Sequence, residues 1–210
     1  MSKATVAGTE RQLGGLFMVG LPGPRLDDST RRLIADHGVR HFILFKRNVE
    51  EPGQLTALCR DLGDACQEAG LALPLISIDQ EGGTVARLKA PHFSEFPDAC
   101  ALAADPRPEA LLEEYGRTCA RELLAVGINM NLAPVLDVSP PGRGLFMERR
   151  SLGGDPAEVG RLGALVIAAM QHEGLAACAK HFPGLGAATL DPHEVLPVVD
   201  RSVEELRGRD

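Results

Sequence analysis

The chain has 210 residues, of which 44% are hydrophobic and 24% charged, and a formal net charge of −7. That supplies one substantial core. No Lys/Arg cluster runs along any segment, which excludes the electrostatic footprint of a nucleic-acid binder, and no stretch approaches the ~18 consecutive apolar residues of a membrane span.

The elements follow in order. Leu13–Gly20 (LGGLFMVG) is apolar and closed by a Leu-Pro-Gly turn signal, so it is expected to be a first strand. Asp28 or Ser29 can cap a helix that runs to His37 and stops at Gly38. Val39–Phe45 (VRHFILF) lacks clean alternation and reads as a strand buried on both faces. In Glu51–Ala69 the residues Leu55, Leu58, Leu62, Cys66 and Ala69 fall on one helical face, and Gly70 ends it. Leu73–Asp79 is a third strand. A helix from about Glu109 to Val126 turns Leu111, Leu112, Tyr115, Cys119 and Leu123 inward. Ile128–Val138 contains a fourth strand. Asp155-Pro156-Ala157-Glu158 is a capping-box helix start, followed by Val159, Leu162, Val166 and Met170 as the core face. Ala176–Phe182 is a fifth strand, and Ser202-Val203-Glu204-Glu205 opens another capped helix.

Strictly alternating strands and helices imply an α/β fold with parallel strands and crossover helices. A doubly wound sheet and a barrel both fit. Asp79, Asp137 and Lys180-His181 stand at the carboxyl ends of several strands, which favours a TIM-type (β/α)8 barrel. Only about five or six of the eight strands such a barrel needs are legible. Residues 1–210 are therefore expected to be one barrel domain truncated before its last strands.

The five cysteines, Cys59, Cys66, Cys100, Cys119 and Cys178, form no C-x-x-C pair, and their odd number argues against a disulfide framework. Buried thiols in a reducing compartment are expected. The first apolar run follows Glu10 and Arg11 and carries no small-residue cleavage site, so no signal peptide is read and the cytoplasm is the default.

The chemistry concentrates in Ala177–His193 (ACAKHFPGLGAATLDPH), where an apolar run ends in Lys180-His181 and a Gly/Pro loop delivers Asp191 and His193. A carboxylate beside a histidine fixes the ring tautomer and favours the imidazolium, a general acid/base arrangement; a turn with a capping Asp is the alternative. Lys180 and His181 offer donors to sugar hydroxyls or an anion, or else a Lys at the barrel rim and a satisfied core His. Asp79-Gln80-Glu81-Gly82-Gly83 permits three readings. One is a carboxylate pair for glycoside hydrolysis, one is Asp79 as a polyol acceptor with Glu81 bracing the loop, and one is a turn with solvated acids. Arg87 can return to the same site, and Arg150 in the RRSLG loop can clamp a carbonyl or hydroxyl or lie on the surface. Gly184-Leu185-Gly186 lacks the rest of a nucleotide-binding loop, and no spacing supports a metal site built from His181, Asp191 and His193.

Four stretches in this order resemble the N-terminal barrel of glycoside hydrolase family 3, in its bacterial β-N-acetylglucosaminidase branch. They are IDQEGG followed by Val85 and Arg87, NMNLAPVLDV, RSLG followed by Asp155-Pro156, and KHFPGLG followed by Asp191 and His193. The resemblance spans essentially the whole chain. It implies a retaining hydrolase that needs no cofactor or metal and removes β-linked N-acetylglucosamine from small glycans or cell-wall fragments. It further implies His193 as general acid/base oriented by Asp191, with Asp79, Arg87, Arg150, Lys180 and His181 binding the sugar. The chain departs from the family at Leu185, where the loop usually reads KHFPGHG, and at Pro192, where the dyad is usually D-S-H. Pro192 fixes its own φ and removes an N–H, so a stiffer, more slowly closing loop is expected. No residue matches the family's aspartate nucleophile, so this chain by itself is not expected to turn over by the retaining route. The rival expectations are a non-catalytic N-acetylglucosamine-binding remnant and a family 3 β-glucosidase.

Overall fold

The computed structural model describes residues 11–190, 194–199 and 201–207. Five parallel strands form one sheet: β1 (Met18–Gly20), β2 (His41–Leu44), β3 (Leu75–Ile78), then β6 (Met130–Asn131) and β7 (Ala176–Ala177), each beside its predecessor. Between β3 and β6 a small antiparallel pair intervenes, β4 (Gln80–Gly82) and β5 (Val85–Ala86). The helices are α1 (Asp28–His37), α2 (Pro52–Glu68), α3 (Ala99–Ala103), α4 (Pro108–Ala125), α5 (Pro156–His172) and α6 (Val203–Arg207). Parallel strands laid down in chain order, joined by helical crossovers, are the opening strands of a TIM-type α/β barrel.

The core lies between sheet and helices. Phe42, Leu44, Ile76 and Ile78 bury one face of β2 and β3 in a single cluster with Leu55, Leu58 and Leu62 of α2 and Leu112, Tyr115 and Leu123 of α4. Most inward-facing positions expected for α2, α4 and α5 hold: Leu55, Leu58, Leu62, Cys66, Leu112, Tyr115, Cys119, Leu123, Val159, Leu162, Val166 and Met170 are buried, whereas Ala69 and Leu111, at the edges of their faces, are half-buried. Burial along β2 alternates, with Phe42 and Leu44 buried and His41 and Ile43 half-buried, so the strand is not buried on both faces as expected.

Several boundaries differ from the sequence reading, each for a local reason. The first strand occupies only Met18–Gly20; residues 11–14 are helical, and Leu16 and Phe17 are exposed. An apolar run read alone cannot tell a strand from a helical turn leading into it. The cap of α1 is Asp27 rather than Asp28 or Ser29: its carboxylate accepts from the Thr30 N–H at 3.1 Å and from the Ser29 hydroxyl at 2.5 Å. Those hydroxyl bonds, Ser29 first and Thr30 next, lower the Asp27 carboxyl to about 2. Gly38 then takes φ 70°, the left-handed turn that closes the helix. Asp155 caps α5 by accepting from the Glu158 N–H at 2.9 Å, but the Glu158 carboxylate turns outward to Arg161 at 2.7 Å instead of reaching back, so the capping box is half-formed. The box at α6 is complete: Glu205 accepts from the Ser202 N–H at 2.8 Å, and Ser202 Oγ accepts from the Glu205 N–H at 3.2 Å. The expected fourth and fifth strands are longer than the ladders observed. Beyond β6 and β7 the two segments stay joined by the Cys178 N–H to the Ala133 carbonyl at 3.1 Å and by an isolated bridge between Val135 and Lys180, with Pro134 supplying no donor between.

Candidate active site

The carboxyl ends of the strands deliver their polar side chains to one rim. Residue 79 follows the last residue of β3, and successive side chains of an extended segment alternate, so Asp79 and Glu81 face one way and Gln80 the other. Gln80 is buried and acts as a clamp. Its side-chain carbonyl accepts from the Arg87 and Leu88 N–H groups at 2.9 and 3.0 Å, and its amide donates to the Leu88 carbonyl at 2.8 Å. The Gln80 backbone carbonyl accepts from the Tyr115 hydroxyl at 2.6 Å and the Asn131 amide at 2.9 Å. Gly83 makes the turn at φ 51°, against the Asp98 carboxylate that accepts from the Thr84 N–H at 2.7 Å. This scaffold returns Arg87 to the site that Asp79 occupies.

The charged groups pair in a continuous chain. Lys180 Nζ lies 2.7 Å from Asp79 Oδ1 and 2.6 Å from Glu81 Oε1. Arg87 Nη2 is 3.4 Å from Asp79 Oδ2. Arg150 grips Glu81 with two parallel bonds, Nε to Oε2 and Nη2 to Oε1, each 2.8 Å, the fork-to-fork geometry available to a guanidinium. His181 Nδ1 lies 2.6 Å from Asp137 Oδ2, and its Nε2 is 3.4 Å from Arg150 Nη2. Burial pushes the Asp79 carboxyl up, but Lys180 and then Arg87 outweigh it and hold the group below the usual carboxylate range. Burial likewise opposes charge on Arg150, and Glu81 more than compensates, keeping it firmly cationic.

The structure thus brings together Asp79, Arg87, Arg150, Lys180 and His181. Asp191, Pro192 and His193, with the loop stiffness expected of Pro192, lie outside the described residues. The carboxylate-pair reading of Asp79 and Glu81 does not fit this geometry: a general acid needs a raised pKa, whereas both acids are engaged by cations and Asp79 is lowered. Asp79 suits the polyol-acceptor reading, and Glu81 braces the arginine and lysine that surround it. Two contributors carry little signal in the sequence. Glu81, only 5% exposed at its side chain, bridges Lys180 to Arg150. Asp137, fully buried at its side chain, holds His181. Its signal was present, an acid closing the apolar run NLAPVLDV, but the partner is 44 positions away. A cavity of about 290 Å³ opens beside Asp137, Lys180, His181 and Gly184, near the lower end of small-ligand pockets at ~300–1,000 Å³. Among the described residues no three His, Cys, Asp or Glu side chains group as metal ligands, and no helix is long and apolar enough to cross a membrane.

Fixed, mutually paired donors and acceptors gathered at the carboxyl ends of parallel strands are arranged as at the site-bearing rim of an α/β barrel. The chain belongs to glycoside hydrolase family 3: the family model described as the glycosyl hydrolase family 3 N terminal domain matches residues 8–210. It is 36% identical over 196 residues to a β-hexosaminidase of Pseudomonas aeruginosa, an alignment covering 93% of this chain and 57% of that one. With a β-hexosaminidase of Alkalilimnicola ehrlichii it shares 38% over 203 residues, covering 93% and 56%. Among solved structures, the family 3 β-N-acetylglucosaminidase of a Paenibacillus species superposes with a TM-score of 0.85 at 37% identity, covering 95% of this chain and 38% of that one. Native NagZ of Neisseria gonorrhoeae superposes at 0.81 with 30% identity, covering 92% and 56%. The chain thus spans a little over half the length of the curated relatives it matches.

Proposed function

We propose that the intact protein is a retaining glycoside hydrolase that removes β-linked N-acetylglucosamine from small glycans or cell-wall fragments. In this reading residues 1–210 form the catalytic barrel's N-terminal part. The observation that carries it is the rim: acids and cations from the ends of successive parallel strands, held by one another before any ligand arrives. Asp79 accepts from ring hydroxyls, and Lys180, Arg87 and Arg150 donate to them. Groups already fixed by ion pairs need little reorganisation when a sugar replaces water. NagZ of Neisseria gonorrhoeae, which shares this fold, is solved in complex with N-trifluoroacetyl-D-glucosamine, which supports an N-acetylglucosamine-type ligand here.

His193 serves as general acid/base and Asp191 orients it, in place of the usual acidic carboxyl. The retaining route also needs a carboxylate nucleophile. Asp79 and Glu81 are committed to cations, and no residue of this chain is nominated for that role. The reaction invokes no cofactor or metal. The five free cysteines, with burial pushing the Cys59 thiol up to about 12, suit a reducing cytoplasm.

The test is hydrolysis of an aryl β-N-acetylglucosaminide and an aryl β-glucoside by the intact protein. Release from the first alone supports the reading, and preference for the glucoside replaces it with a β-glucosidase. N-acetylglucosamine binding without release from either substrate moves it to a sugar-binding protein, a role that the engagement of both strand-end acids favours as second choice.

A further inference from the structure

Asp137 is absent from the sugar-binding set, yet three segments of the site converge on it. Its carboxylate, fully buried, lies 2.6 Å from His181 Nδ1 through Oδ2 and accepts the Leu185 N–H through Oδ1. Its backbone carbonyl accepts from the Ser151 hydroxyl at 2.6 Å, and Ser151 directly follows Arg150. Gly186, next after Leu185, packs so closely on Val138 that a Cβ there would overlap the Val138 carbonyl oxygen. The start of the loop that leads in sequence to Asp191 and His193 is therefore seated on Asp137 and its neighbour.

These contacts also decide the chemistry of His181. A carboxylate can only accept, so the ring nitrogen facing Asp137 carries a proton. A guanidinium can only donate, so Nε2, 3.4 Å from Arg150 Nη2, offers its lone pair. Asp137 places a proton on Nδ1 and Arg150 opposes one on Nε2, and together they select the Nδ1–H tautomer. The sequence allows Lys180 and His181 to be donors to a ligand, or a rim lysine and a satisfied core histidine; the geometry gives them opposite polarity, Lys180 presenting N–H groups and His181 an acceptor.

We propose that Asp137 is a positioning residue of the site, holding His181 as a hydrogen-bond acceptor for a sugar hydroxyl and tethering the start of the catalytic loop through Leu185. The inference rests on the N-acetylglucosaminidase reading for its substrate, while its tautomer claim stands apart from turnover. Replacing Asp137 by Asn keeps the side-chain carbonyl for Leu185 and turns an NH2 toward His181. The ring must then carry its proton on Nε2, a donor facing the Arg150 donor.

The experiment is ¹⁵N NMR of imidazole-labelled intact protein together with kinetics on an aryl β-N-acetylglucosaminide. The parent is expected to show His181 as the Nδ1–H tautomer. Asp137→Asn is expected to switch it to Nε2–H and to raise KM by roughly threefold to tenfold, the scale of one hydrogen bond between uncharged groups. A parent His181 protonated on Nε2 overturns the proposal, as does an Asp137→Asn variant with unchanged tautomer and KM. Should Asp137→Asn not fold, the parent tautomer decides. Should the parent show no hydrolysis, the enzymatic reading fails, and the tautomer with N-acetylglucosamine affinity decides this one.

Discussion

Glu81 is the pivot of the rim's charge balance, and Glu81→Leu tests that directly. The substitution leaves the two cations in unequal positions. Lys180 keeps Asp79 at 2.7 Å, so its charge remains compensated. Arg150 loses both 2.8 Å bonds and keeps two weak contacts, the 3.4 Å approach of the His181 ring and a 3.6 Å bond from Nη1 to the Met147 sulfur. Its side chain is 14% exposed, so little water can replace the carboxylate. Breaking a buried pair by removing one partner costs ~3–5 kcal/mol, and this slight exposure places the loss near the lower end, about 3 kcal/mol. For a chain of this size that is a fall in Tm of about 6–12 °C. Thermal unfolding followed by circular dichroism measures it. Removing the stranded charge as well, in Glu81→Leu with Arg150→Met, is expected to restore at least half of the lost stability, since a buried ion pair exchanged for apolar side chains is often close to neutral. A double variant as unstable as the sum of the two singles, or a Glu81→Leu variant within 2 °C of the parent, refutes the reasoning.

Three further outcomes are expected. Asp27→Ala removes the α1 cap and should lower stability by about 1 kcal/mol in urea unfolding, more than Asp28→Ala at the neighbouring position. Gly116→Ala places a methyl 2.8 Å from the Ala169 Cβ between α4 and α5 and should cost about 1–3 kcal/mol by overpacking; a neutral result would mean the helices separate freely. Asp79 titrates below its ordinary value of 3.8 when folded, so its ion pairs contribute stability above about pH 4 that is lost as pH falls through the lower folded value. Stability of Asp79→Asn measured from pH 6 to pH 2 should therefore fall less steeply than that of the parent at the acid end.

The helices were legible because their signals are local. The residues that bury α2 and α4 recur at three- and four-residue steps, and the observed ends, Pro52–Glu68 and Pro108–Ala125, lie within one or two residues of those read from the sequence. Strand limits were less legible, because pairing is set by the neighbour: Ile128–Val138 is mostly apolar, but only Met130 and Asn131 find a continuous ladder. The small hairpin at Gln80–Ala86 and the short helix Ala99–Ala103 gave no periodic signal. At the site, residue identities were readable as motifs, whereas their pairing was not. Glu81 meets partners 69 and 99 positions away, and nothing in the local pattern around it distinguishes a bridging acid from a solvated one. The expectation of Asp28 or Ser29 as the cap fails for the opposite reason: three adjacent residues can all cap, and only backbone direction selects Asp27 among them.

The alternation of Asp79, Gln80 and Glu81 has a consequence for how this chain can change length. A single residue inserted or deleted between Leu75 and Asp79 would exchange the two faces of the segment. Gln80 would then meet Lys180 and Arg150, while both acids turned toward the space that now clamps the backbone of Arg87 and Leu88. Binding and folding would be lost together. An insertion in the turn at residues 140–144 moves none of these side chains. Length variation among functional versions of this domain should therefore collect in that turn and avoid the third strand.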